Sequence, residues 1–384
     1  MLPFFEQDHW ELRKRVGSWV KEGLTSDREQ APVEEQARQL VRQLGDEGLL
    51  AFAVPNKFGG KRDTVQARDL CLIREELARG SALADTMFAT QALGSYPIAL
   101  SGTEEQKRRI LPAVATGKSI AAFAITEPEA GSDVASLQTI ATRRGDEYCL
   151  NGTKRFISNA GIAHNYVVFA STDPEKKAKG ISAFVLDADT PGLHVSEKIE
   201  LLSPHPIGVV EFVNCIAPPD ALIGAEGRGL EIAFTTLDLL RCTVGAAAVG
   251  LAQHALEEAV RYSRARKQFG RSIAEFQGIQ FKLADMATEL EAARLLVYQA
   301  AWAHDFADAD AKAKASMAKY YATEAAQRIV DQALQIHGGS GLIAGSIMER
   351  LYRDVRALRI YEGTSEIQKL IIARELLKAT GNRQ

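Results

Sequence analysis

The hydrophobic period changes twice along this 384-residue chain, and no single residue constrains the fold as much as those two changes do. From about residue 6 to 117 apolar positions recur at helical spacing, as in Leu40 and Leu44 or Leu70, Ile73 and Leu77, punctuated at Gly45, Gly48, Pro55 and Gly59-Gly60. Near residue 120 the pattern turns into short β-branched and aromatic runs at Tyr148–Leu150, Tyr166–Ala170, Ile181–Leu186 and Val209–Val213. After Gly229 helical spacing returns, and Phe276, Ile279, Leu283, Met286, Leu290, Ala293 and Val297 form a seam suited to a bundle or a subunit contact. The expectation is an α+β protein in three parts: an all-helical domain over 1–120, a β domain over 121–228 and a helical domain over 229–384.

Local signals refine this layout. Thr103-Glu104-Glu105-Gln106 reads as an N-cap with an acidic first turn, opening a helix that ends before Pro112. Asn151-Gly152 reads as a hairpin turn pairing Tyr148–Leu150 with Arg155–Ile157. Charged residues at 25%, hydrophobic ones at 46% and a net charge of -3 provide no basic field for nucleic acid. Cys71, Cys149, Cys215 and Cys242 are far apart, without a CxxC pair or a histidine cluster, so reduced, mostly buried thiols and no metal site are expected. The stretch Met1–His9 lacks a basic then apolar leader, and no run of 18 uncharged apolar residues occurs, which points to a cytoplasmic, non-membrane protein.

Chemistry concentrates in a few strings. Phe123-Ala124-Ile125-Thr126-Glu127-Pro128-Glu129-Ala130-Gly131-Ser132-Asp133 places hydroxyls and the Gly131 amide on a loop leaving an apolar strand, fit for a flat heterocycle and a phosphate or for an ordinary turn. Phe156 and Ser158 share one face of a strand, where they could support a ring or simply pack. The basic cluster Arg261, Arg264, Arg266, Lys267 and Arg271 has the solvated face as its plainer reading. Tyr361-Glu362-Gly363-Thr364 sets a carboxylate beside glycine on a bend between helical segments, able to aim a base into a cleft or to sit exposed near a helix N-cap. No GxGxxG and no Walker loop occurs.

These strings, with Arg266-Lys267-Gln268-Phe269-Gly270 and Gln335-Ile336-His337-Gly338-Gly339, resemble the acyl-CoA dehydrogenase family in order and over nearly the whole chain. The resemblance implies a barrel-like or orthogonal middle sheet, a C-terminal four-helix bundle, FAD as cofactor, an acyl-CoA substrate, an electron-transfer flavoprotein as acceptor and a homotetramer built as a dimer of dimers. By the same likeness Phe123, Ile125, Thr126, Gly131 and Ser132 form the first flavin loop, and Phe156 and Ser158 lie against the isoalloxazine ring. Arg266, Gln268 and Phe269 reach the FAD of a neighbouring subunit, Gln335, Gly338 and Gly339 approach that same cofactor, and Thr364 and Glu366 join the cofactor set.

The implied reaction removes the α-proton of an acyl thioester with Glu362 and transfers the β-hydrogen as hydride to flavin N5, giving a trans-2-enoyl thioester. Some branches carry the glutamate on an earlier helix, at a position held here by Leu240, next to Arg241. Arg241 is then near the base or the thioester, or in an ion pair with Asp238. Ser132, Asp85, Asp238, Arg241, Tyr361 and Gly363 make up the expected substrate contacts. Asp85 falls in the segment that lines the acyl pocket of similar enzymes, where a carboxylate is costly unless paired or functional, and a contact with a cyclic or polar acyl group is expected of it. Ala84 stands where glutaryl-type members carry arginine, which disfavours a dicarboxylic substrate, and Ser203-Pro204-His205-Pro206-Ile207 departs from the commoner family pattern. Oxidase or desulfinase-like offshoots, and a non-catalytic flavin- or acyl-CoA-binding protein, are the alternatives.

Overall fold

A computed structural model describes residues 3–23 and 31–381; Met1 and Leu2, the start of the stretch read for a leader, lie outside the described residues. Helices α1 (Gln7–Gly23), α2 (Val33–Asp46), α3 (Ala67–Gly80), α4 (Ala82–Ser101) and α5 (Glu104–Ala115) come first. Strands β1 (Ala121–Ala124), β2 (Ile140–Arg144), β3 (Glu147–Ser158), β4 (Asn165–Ser171), β5 (Ile181–Asp187), β6 (Leu193–Lys198), β7 (Ile207–Ala217) and β8 (Leu222–Ile223) follow. The chain ends with α6 (Gly229–Ala265), the small β9 (Lys267–Gln268) and β10 (Arg271–Ser272) pair, α7 (Gln277–Asp305), α8 (Ala311–His337), α9 (Ile347–Ala357) and α10 (Ser365–Gly381). Helices, then sheet, then helices is the expected order.

Two compact units divide the chain. One holds α1, residues 67–85 and everything from Asp238 onward; the other holds α2 to Gln66 and the stretch Thr86–Leu237. In the second unit the strands pair in the order β6-β7-β3-β2-β4-β5-β8, with β1 parallel on β4. Ile98, Leu111, Val114, Ala121, Val167, Phe169, Ile181 and Val185 bury their side chains in one apolar cluster there. The buried Gln91 of α4 sets the entry to β1: its Nε2 donates to Ser119 O at 2.8 Å and its Oε1 accepts from Ala121 N at 2.7 Å.

Three local expectations are corrected. The turn between β2 and β3 lies at Gly145-Asp146, with Arg144 paired to Glu147, and β3 runs straight through Asn151-Gly152. Gly152 marks a bulge against β7 instead; its φ is +150°, and a Cβ there would stand 2.5 Å from Thr139 Oγ1. The helix opened by the Thr103 capping box continues past Pro112 to Ala115, because Leu111, Val114 and Ala115 are buried and their packing outweighs one lost backbone bond. In the α7 seam Met286, Leu290, Ala293 and Val297 are buried, whereas Phe276 precedes the helix and Ile279 and Leu283 are half-buried. Among the described residues α6, at 37 residues, is long and apolar enough by length and composition to cross a membrane, and 78% of its most apolar window is buried inside the protein.

Replacing Gln91 by Met keeps the volume but leaves a buried carbonyl and a buried amide without partners. The expected cost is at least about 2 kcal/mol, seen as a lower urea midpoint with an unchanged slope. An unchanged midpoint would show that the Gln91 bridge does not hold β1.

Candidate active site

The bend carrying Glu362 is over-determined by its surroundings. Ser365 N donates to Arg359 O at 3.1 Å, Arg359 pairs with Glu324 at 2.8 Å, and Ser365 Oγ donates to Glu324 Oε1 at 2.6 Å. Gly363 O accepts from Lys319 Nζ at 2.6 Å and from Gln368 Nε2 at 2.9 Å. These bonds hold Glu362 at φ +52°, a left-handed conformation that costs a non-glycine residue on the order of 1–2 kcal/mol, followed by Gly363 at +90°. Glu362 is half-buried as a residue, yet its Oε2 is buried and makes no hydrogen bond within the protein. Burial raises its pKa above the ordinary carboxylate value; Arg74 and Lys319 oppose that rise, Asp85 adds to it and Arg241 opposes it.

Beside this bend α3, α4 and α6 supply a buried polar cluster. Arg74 donates from Nε and Nη2 to both oxygens of Asp85, at 2.7 and 2.8 Å, and from Nη1 to Thr243 Oγ1 at 2.8 Å. Tyr361 is 36% exposed, but its hydroxyl is enclosed beside Arg74, and burial pushes the phenol far up. Asp85 is therefore not an unpaired carboxylate awaiting an acyl group; a bidentate guanidinium occupies it, which removes the premise of the expected substrate contact. Arg241 makes the ion pair with Asp238 that was one of its two readings, while its buried Nε makes no hydrogen bond within the protein. Lys319 is fully buried on α8; burial brings its pKa down to about 8, with Glu362 pulling the other way.

In the other unit the two flavin-like strings are stitched together. Arg155 N donates to Thr126 O at 2.9 Å, and the buried Lys154 Nζ donates to Ile125 O at 3.2 Å and Glu127 Oε1 at 2.7 Å. Glu127 also accepts from Thr139 N and Oγ1. Burial lowers the Lys154 pKa to about 8, whereas Glu127, despite burial, is held below its usual value chiefly by Lys154. Phe156 is 50% exposed at φ +59°, with the Arg155 guanidinium 5.3 Å from its ring centre, and Ile157 beside it is buried. Ser158 is half-buried, and Gly131 and Ser132 are exposed, with open space where a Gly131 side chain would stand. An exposed aromatic ring, a hydroxyl and a glycine loop on one unit fit a flat heterocyclic cofactor such as FAD.

Arg266 precedes β9, Gln268 ends it and Phe269 lies in the turn to β10, 93% exposed at φ +51°. Gln335, Gly338 and Gly339 are exposed at the end of α8, where His337 stacks on Tyr262 at 4.3 Å. Glu366 is exposed in the first turn of α10, and Thr364 Oγ1 accepts from Ile367 N. Glu6, Asp8 and His9 bring possible ligand atoms within 4.8 Å of one another at the start of α1, where the His9 Nδ1 already meets Glu6 N and Asp8. Sequence reading missed Arg74, Lys319, Lys154 and the role of His205. The first two had a signal: each occupies the apolar phase of its helix, Arg74 between Leu70 and Leu77 and Lys319 between Ala315 and Ala322.

Comparison with known proteins shows the family. Residues 6–118, 122–215 and 227–377 match, in turn, the N-terminal, middle and C-terminal domains of acyl-CoA dehydrogenases. The chain belongs to the acyl-CoA dehydrogenase family of oxidoreductases. It is 41% identical over 378 residues to a Bacillus subtilis acyl-CoA dehydrogenase, covering 97% of this chain and 99% of the relative. It is 40% identical over 380 residues to a Clostridium sporogenes 3-(aryl)acrylate reductase, covering 98% and 100%. The caffeyl-CoA reductase-Etf complex subunit CarC of Acetobacterium woodii is 38% identical over 98% of this chain and 100% of its own length. Butyryl-CoA dehydrogenase from Megasphaera elsdenii superposes with a TM-score of 0.90 at 35% identity, over 97% and 99% of the two chains. A Bacillus anthracis acyl-CoA dehydrogenase solved with FAD gives 0.90 at 32%, over 99% of this chain and 68% of that one.

Truncating Arg74 to Met strands Asp85 as a buried charge, with an expected loss of about 3–5 kcal/mol in chemical denaturation. The Arg74→Met/Asp85→Leu pair, which removes both charges, is expected to regain most of it. A double variant as unstable as the single one would contradict this.

Proposed function

We propose that this protein is an FAD-dependent acyl-CoA dehydrogenase in which Glu362 takes the α-proton of an acyl thioester and the product is a trans-2-enoyl thioester. The observation that carries the reading is the Glu362 carboxylate, buried at Oε2 without a partner on a strained bend. A carboxylate that the protein leaves unpaired keeps a lone pair for an incoming proton, and its raised pKa narrows the gap to a weakly acidic C–H. Arg74, Lys319 and Arg241 keep the ionised form within reach at neutral pH. The Glu362 amide is the protein's donor to the thioester oxygen in this reading.

Thr126, Ser132, Phe156 and Ser158 are the residues that would hold the flavin, a role supported by the stitched loops beneath them. FAD, when bound, supplies the acceptor for the β-hydrogen. A related structure containing FAD supports that choice, and a relative named as part of an Etf complex supports an electron-transfer flavoprotein as the acceptor. Assembly as a cytoplasmic homotetramer belongs to the same reading; the exposed Phe269, Leu376 and Leu377 suit contacts between chains. A second reading runs the same chemistry backwards, reducing an enoyl thioester, and the relatives named as reductases favour it.

Anaerobic titration of the yellow protein with linear, branched and cyclic acyl-CoAs is expected to bleach the flavin for at least one class, and Glu362→Gln is expected to show no bleaching with any. Full reduction of that variant would overturn the assignment of the base, and no bleaching of the wild type by any thioester would favour a binding protein. The raised pKa adds a sign: kcat/KM needs ionised Glu362, so it falls as pH drops through a value above the ordinary 4.5, and an acid limb centred at or below 4.5 would contradict the burial argument.

A further inference from the structure

His205 sits on the segment that departs from the family pattern, and it meets a residue of the flavin-like strand. Its Nε2 is 3.0 Å from Ser158 Oγ, and its Nδ1 is 3.3 Å from Ser203 O. The contact is held by backbone on both sides: Ser158 is registered against Ile207 in the β3–β7 ladder, and Asn159 N donates to Pro206 O at 2.7 Å. A carbonyl oxygen can only accept, so the ring proton of neutral His205 is on Nδ1 and Nε2 carries the lone pair. Burial lowers the His205 pKa below its ordinary 6.5, which keeps the ring neutral at pH 7. Ser158 therefore donates its one hydroxyl proton to His205.

We propose that His205 is a positioning residue that turns the Ser158 hydroxyl so that only lone pairs face a flavin lying against β3, favouring the reduced ring. The proposal rests on the reading that FAD binds at this strand. The ring nitrogen that takes up hydride is an acceptor when oxidised and an N–H donor when reduced. A hydroxyl whose proton is committed elsewhere can accept from the N–H but cannot donate to the oxidised nitrogen. Without His205 the hydroxyl can turn its proton to the ring and stabilise the oxidised state. The family's substrate chemistry is unaffected in kind; its driving force is what His205 adjusts.

The test is the midpoint potential of the flavin in the purified holoprotein. His205→Leu is expected to lower the reduced-to-oxidised ratio at a fixed potential at least tenfold, about 30 mV for a two-electron couple. Ser158→Ala loses the acceptor for the reduced ring and offers no donor to the oxidised one, so its potential is expected below wild type. Adding His205→Leu to Ser158→Ala is expected to change nothing further. A potential at or above wild type in either single variant, or a full His205→Leu shift in the Ser158→Ala background, would overturn the proposal. If His205→Leu loses flavin, Ser158→Ala against wild type decides. Wild-type protein purified without flavin would instead sink the FAD reading, and this inference with it.

Discussion

A carboxylate kept unpaired among buried cations is the interaction on which the rest depends. Moving an ionised carboxylate out of water costs several kcal/mol even after relaxation, and a direct salt bridge would offset that while taking up the lone pair a base needs. The protein takes a third course. Arg74 gives its bidentate face to Asp85, Arg241 pairs with Asp238, and Lys319 donates to Gly363 O, so each cation near Glu362 has another hydrogen-bond partner. Their fields still reach Glu362, but its Oε2 remains without a hydrogen bond. The left-handed backbone at this residue is sustained by the bonds of Gly363, Ser365 and Arg359 on either side.

The same device recurs in the strand unit. Lys154 and Lys319 are both fully buried, both have pKa values lowered to about 8 by burial, and both donate to a main-chain carbonyl, Ile125 O in one loop and Gly363 O in the other. Each lies close to a glutamate, but the consequences differ. Glu127 is bonded directly to Lys154 and to Thr139 and is held low, a structural anion. Glu362 is left unbonded at Oε2 and is raised, which suits proton transfer. A buried ammonium group thus donates to the loop in both cases, and a hydrogen bond to the carboxylate is what Glu127 has and Glu362 Oε2 lacks.

The alternation of helix and strand periods was enough to lay out the element order, because side-chain burial on one face is a local property of the sequence. Long-range pairing was not. Asp85 and Arg74 are eleven positions apart on two helices, and nothing in either segment alone shows that the carboxylate has a partner, so Asp85 looked unsatisfied when it was not. Asn151-Gly152 carries the composition of a turn, yet the glycine sits at a bulge against β7 where Thr139 leaves no room for a Cβ, a contact set by tertiary structure. His205 lay in a segment recognised only as unusual; its meaning depends on β3 and β7 pairing to bring Ser158 beside it. The string around Glu362 could be singled out because it is local, whereas the cations whose fields reach its carboxylate come from α3, α6 and α8.

The claim that Glu362 removes the α-proton is tested most directly by isotope exchange. An acyl-CoA analogue that cannot lose a β-hydrogen, incubated with the holoprotein in D2O, reports α-proton removal separately from flavin reduction. The account predicts deuterium incorporation at the α-carbon with wild type and none above background with Glu362→Gln. Undiminished incorporation with that variant would show that another group is the base.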